Sequence, residues 1–287
     1  MAVYKRTYKA YDGPLTNPVS RFLVVMRYAF RTVSKSRLLN SGYMACFIRP
    51  LVVLCILYLN QNASLLGLVH EKTGFIRVDG SFFMNFLGFQ GILAGILTAF
   101  VGTSLVSPDL VNGSLSLYMS RPISRAEYIL GKGAVIGTLA GAITLLPALL
   151  MFFVQSSLVG WNWMLNNFYL LTGSIFVCSI IIAIFALLGL AMSALVRWKI
   201  VAGGLILGVF AIGKGFGAMI DSVMRTNSGN YVDLQTLIRI VAMDMFHTTP
   251  ESSDYVPVWS AWIALLAICG VLLYILNRKL RVCEVAG

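Results

Sequence analysis

The charged residues of this 287-residue chain are few, and five of them fall close together: Asp109, Arg121, Arg125, Glu127 and Lys132, all in the stretch Ser107 to Lys132. Asn112–Gly113 gives that stretch one turn signal, and Pro122 beside Ser124 gives it a second break. Such a segment suits either a solvated hairpin or a surface that meets another subunit. A second cluster, Gly208, Gly213 and Lys214, matches most of a phosphate-binding loop. Gly215, however, stands where Ser or Thr would hold magnesium, and no strand precedes it, so nucleotide binding is excluded there. The two histidines, His70 and His247, are far apart in sequence, which leaves haem chains and most integral lipid hydrolases without their usual residues.

The elements that must position these residues are apolar. The chain is 58% hydrophobic and 11% charged, with a mean hydropathy of +0.83, a composition that excludes a soluble domain and predicts a polytopic membrane protein. LGFQGILAGILTAFVGTSLV before Ser107 and GAVIGTLAGAITLLPALLMFFV after Lys132 are each near the ~20 apolar residues that span a hydrocarbon core. The net charge of +11 and pI near 9.6 fit the basic excess of a cytosolic membrane face; no aromatic-interleaved basic run points to nucleic acid. Five cysteines, none in a Cys-x-x-Cys pair, predict neither a disulfide framework nor a metal site.

Six spans are expected: from Tyr43 or Arg49 to Asn62, then Phe82–Val106, Gly133–Gln155 with a kink at Pro147, Phe168–Leu195, Ile200–Ile220 and Val256–Leu276. Arg49 is expected to snorkel to the cytosolic interface. Residues 1–40 read as a cytosolic tail followed by an amphipathic interfacial helix. In that helix Phe22, Met26, Ala29, Phe30 and Val33 share one face, and Arg27, Arg31 and Lys35 form an opposite stripe toward anionic lipid. A soluble helix packed on a partner is the alternative. Residues 41–287 form the six-helix transmembrane domain, with segment 107–132 cytosolic and 221–254 an outer loop holding a short helix, LQTLIRIVAMDMF. Seventeen of the 22 cations then lie inside, so the positive-inside rule places both termini in the cytosol.

The pattern Asp109, Gly113-Ser114, Arg121-Pro122-Ile123-Ser124-Arg125, Glu127 and Gly131-Lys132 resembles the permeases of ABC-2 type exporters, with Leu110 where that family often has a basic residue. The resemblance is strongest from Phe100 to Gly137. It implies that Asp109, Gly113, Ser114, Arg121, Pro122, Ser124, Arg125, Glu127 and Lys132 belong to a coupling helix docking on a separate ABC ATPase, present in two copies and holding ATP and Mg. It implies also an elbow helix, re-entrant outer helices, a second permease copy and a multi-pass place in the cytoplasmic (inner) membrane. This chain itself would hold no cofactor or catalytic residue.

The cargo is read from the spans. None contains a carboxylate, which argues against proton or sodium coupling. Walls of Gly, Ala, Phe and Met favour an amphipathic or lipid-linked cargo over an inorganic ion. Lys214 lies roughly 20 Å along its span and is expected either to snorkel outward or to contact an anionic cargo. The acidic outer loop is a candidate site for a periplasmic partner. Two other functions remain open: a non-transporting assembly or anchoring subunit, and an integral lipid-modifying enzyme. The glycine pairs Gly91/Gly95, Gly137/Gly141, Gly204/Gly208 and Gly213/Gly217 have the spacing of close helix packing.

Overall fold

The computed structural model describes residues 21–61, 77–114, 118, 123–196, 198–225, 228–248 and 256–285, with backbone alone for the last five. Arg121 and Pro122 of the expected coupling segment lie outside the described residues. The described chain is helical, and six of its helical stretches are long and apolar enough to cross a membrane: Arg37–Gln61, Gly80–Val111, Arg125–Val159, Phe168–Leu195, Lys199–Met224 and Val258–Leu280. This is a multi-pass membrane protein.

Helix α1 (Arg21–Ser34) buries Val25, Ala29 and Val33, one residue per turn, against α6 (Arg125–Val159). Gly131 makes the fit: a Cβ there would stand 2.8 Å from both the Phe22 carbonyl oxygen and the Val25 Cβ. The buried stripe is turned from the expected one, since Phe30 is exposed and Val25 is buried. Leu23, Val24 and Val25 are consecutive, so periodicity alone leaves the rotation of this helix undetermined. Arg27 and Arg31 are exposed as expected, and Lys35 sits in the turn just past the helix.

The first span begins at Arg37, earlier than expected, and is broken into α2 (Arg37–Ala45) and α3 (Ile48–Gln61). Ser36 starts it, its Oγ accepting from the Leu39 N–H at 3.4 Å. The break falls at Cys46–Phe47, just ahead of Pro50, whose ring cannot continue the preceding turn. Arg49 therefore lies midway along the span. Its guanidinium carbon is 4.0 Å from the Phe89 ring centre, and Nη1 donates to the Phe86 carbonyl at 3.4 Å. Aromatic faces offer a cation site inside the apolar layer, so this arginine packs on α4 (Gly80–Thr103) rather than reaching an interface.

Three spans form the centre: α4 with the short α5 (Ser107–Val111), α6, and α8 (Phe168–Leu195), which follows the small α7 (Trp161–Asn166). Between 50 and 61% of their most apolar stretches is buried within the chain, against 17 to 22% for the first, fifth and sixth spans. Glycines bring the central helices together. A Cβ on Gly102 would lie 2.9 Å from the Gly189 Cα, so α4 and α8 touch backbone to backbone, and Gly137 with Gly141 cradles Ile182.

The fifth span is α9 (Lys199–Met224) and the sixth α11 (Val258–Val285). Between them α10 (Leu234–Met245) is capped by Asp233, whose Oδ1 accepts from the Gln235 N–H at 3.1 Å and Oδ2 from the Thr236 hydroxyl at 2.7 Å. The short helix expected here is present, and α10 buries Leu237, Ile240 and Val241 in the same core as Phe83, Phe152 and Leu170. Gly213 and Gly217 of α9 admit the backbone at Val232 and Gly229.

Candidate functional site

Asp109 of α5 and Lys132 of α6, 23 residues apart in the chain, meet at the end of the bundle that also holds α1 and the last turns of α11. Their Oδ2 and Nζ are 2.9 Å apart, with side chains only 15% and 7% exposed. Each partner has further support, as a buried pair requires. Lys132 Nζ donates to the Leu105 carbonyl at 2.8 Å and lies 5.6 and 5.9 Å from the ring centres of Tyr128 and Tyr118. Asp109 accepts from the Tyr128 hydroxyl at 2.7 Å and from the Ser114 hydroxyl at 3.1 Å. The Leu105 carbonyl is available because α4 stops at Thr103 and the chain turns before α5. At that turn Ser193 of α8 accepts from the Val106 and Ser107 N–H groups at 3.2 and 2.8 Å.

The far end of the segment is fixed by a capping box opening α6: Ser124 Oγ accepts from the Glu127 N–H at 3.2 Å, and Glu127 Oε2 from the Ser124 N–H at 2.6 Å. Gly113 turns the chain after α5 at φ +65°, a conformation costly for residues with a Cβ. Of the expected coupling residues, then, the structure joins Asp109, Ser114 and Lys132 in one network and Ser124 with Glu127 in another. Arg125 is half-buried beside them. Tyr118, Tyr128, Leu105 and Ser193 were missed by sequence reasoning. A tyrosine one turn before Lys132 on the same helical face was the available signal; nothing in the sequence pointed to Ser193. A cleft of about 560 Å³ opens over the ion pair, between Tyr28 and Thr32 of α1, Ser36 at the start of α2, Phe100 of α4, and Lys199.

Lys214 occupies a different place. It is exposed on α9, on the wall of a 600 Å³ groove with Ile92, Ile96, Phe210 and Gln235. A second hollow of about 300 Å³, holding Phe89, Phe185, Ile238 and Arg239, shares Ile92 and Gln235 with it, so the two form one apolar trough along α4 edged by two cations. Lys214 and the Asp109 network are thus separate sites. Among the described residues no group of three or more His, Cys, Asp or Glu is placed to hold a metal ion.

Among curated proteins none matches the chain. The family model described as ABC-2 family transporter protein matches residues 22–277, which takes in both sites, five whole spans, and all but the outermost residues of α1 and the sixth span. A family of this kind works as the membrane component of a transporter with an ABC ATPase as its general partner. With most of its length matched, this chain belongs to the ABC-2 transporter family.

Proposed function

We propose that this chain is the permease subunit of an exporter that moves an amphipathic or lipid-linked cargo across the cytoplasmic membrane, driven by two copies of a separate ATPase subunit and working beside a second permease copy. The observation that carries the coupling half is the bracing of segment 107–132. A buried ion pair with two further hydrogen bonds on the carboxylate holds one end, and a capping box on a 35-residue helix holds the other. At ~1.5 Å per residue that helix is roughly 50 Å long, well beyond a ~30 Å hydrocarbon core. A push on the segment therefore travels directly into the third span. In this reading the end with Asp109 faces the cytosol, and ATP and Mg bind only in the partner.

The cargo half rests on the trough along α4. Its walls are apolar and its cations, Lys214 and Arg239, suit an anionic head on an apolar body. The test is ATPase activity of the complex in lipid nanodiscs, screened with lipids, lipid-linked glycans, peptides and metal ions, with and without Lys214→Ala. Stimulation by an anionic amphiphile that the variant loses is the expected result; stimulation by an inorganic cation alone would overturn it. Arg125→Ala, which keeps the buried Asp109–Lys132 pair intact, should leave ATP hydrolysis running while transport stops, and unchanged transport in that variant would sink the coupling role. A complex that hydrolyses ATP but moves none of these cargoes would favour an anchoring subunit.

A further inference from the structure

Pro50 of the first span and Pro147 of the third each leave one carbonyl without its helical partner. Pro50 has no N–H to offer the Cys46 carbonyl, and Pro147 none for the Ile143 carbonyl. In an apolar layer such a carbonyl must find another donor. Both find the same one. Gln90, on α4 between the two proline-bearing helices and fully buried, directs its side-chain Nε2 at the Ile143 oxygen, 3.0 Å away, and at the Cys46 oxygen, 3.4 Å away. A primary amide has two N–H groups, so one side chain supplies one bond to each proline-freed carbonyl. Since both targets are acceptors, the nitrogen must face them. The amide oxygen, by contrast, has no partner among the described residues. One turn away on α4, the Phe86 carbonyl receives the Arg49 guanidinium, so the broken first span is tied to this part of α4 twice.

We propose that Gln90 is a positioning residue for transport: its side-chain amide bridges the kink of the first span at Pro50 and the kink of the third at Pro147, so that the two bend together about α4. Proline kinks are where membrane helices bend. A change of angle at one kink withdraws its carbonyl from Gln90 and exposes a polar group to the apolar interior, unless the other kink and the amide follow. The third span carries Lys132 and the capped start of α6, while the first carries the Arg49 contact in mid-span. The bridge thus joins a helix that receives the push to one that receives none directly. The transport role rests on the function proposed above, whereas the bridge itself does not.

The experiment separates the two. Spin labels at Leu38 and Leu130, both exposed and on the same-end halves of the first and third spans, report the angle between those halves by pulsed dipolar spectroscopy in nanodiscs, with the native cysteines replaced. The parent chain should give one narrow distance. Gln90→Met, similar in length but without N–H groups, should broaden it and lower the melting temperature, on the order of 5 °C for two unsatisfied carbonyls. Adding Pro50→Ala and Pro147→Ala returns an N–H to each carbonyl. In that background Gln90→Met should leave both the distance and the melting temperature unchanged, and this comparison serves even if the single variant does not insert. A narrow distance in Gln90→Met, or equal losses with and without the prolines, overturns the bridge. In the assembled complex the single variant should lower the maximal cargo-stimulated rate several-fold with the half-saturating cargo concentration unchanged. A broadened distance with a full stimulated rate would overturn the transport role and leave the function proposed above standing.

Discussion

The second, third and fourth spans and the first, fifth and sixth are built on opposite terms. The former bury at least half of their most apolar stretches within the chain; the latter bury about a fifth or less. In the central three, glycine lets backbones touch, Gln90 closes orphaned carbonyls, and an ion pair is hidden from solvent. The outer three present Leu51, Ile212, Leu266 and other large apolar side chains outward. For a soluble protein that contrast would mean aggregation; in a membrane those faces meet acyl chains or another copy. The lesson is that the closest packing lies in the central three, while the outer three add specific tethers to them and keep broad apolar faces for lipid or another copy.

Substitutions can break that contrast. The largest effect is expected from Lys132→Met, which strands Asp109 without its cation: about 3–5 kcal/mol, seen as a collapse of thermal stability in detergent that Asp109→Leu in the same chain should partly reverse. Gly102→Ala comes next, because its Cβ would meet the Gly189 backbone; overpacking of this kind costs about 1–3 kcal/mol, and a melting temperature like the parent's would show that α4 and α8 have room to part. Ser193→Ala leaves the Val106 and Ser107 N–H groups without their acceptor, about 1–2 kcal/mol, with faster amide exchange at that turn as the readout. Smallest of all, Leu266→Ala on the outward face of α11 should change stability by less than about 0.5 kcal/mol. If it instead shifts the chain's oligomeric state in size-exclusion with light scattering, that face is covered by a second copy.

Much of this was legible beforehand, and the exceptions share a cause. Span number and order followed from apolar run length, and the capping box from Ser124 with Glu127 three residues on. Pairings between residues far apart in the chain did not. Asp109 with Lys132, Gly102 with Gly189, and Gln90 with two prolines depend on which helix faces become neighbours, and an all-round apolar helix gives no moment to orient it. Arg49 misled because its charge suggested an interface, while the two aromatics that receive it, Phe86 and Phe89, lie on another span. In α1 the buried stripe differs from the expected one where five apolar residues, Phe22 to Met26, run together.

The seat of α1 has a consequence in time. Its socket is Gly131 on the third span, made roughly 110 residues after α1 itself, a delay on the order of 5–20 s at ~5–20 residues per second. Until then Val25, Ala29 and Val33 lack the larger part of the surface they pack on. Helix α1 therefore reaches its seat only once the third span has been made, so its apolar stripe must shelter at the lipid surface until then, and a lesion at Gly131 would register first as a failure of assembly, in a protein whose spans are all present.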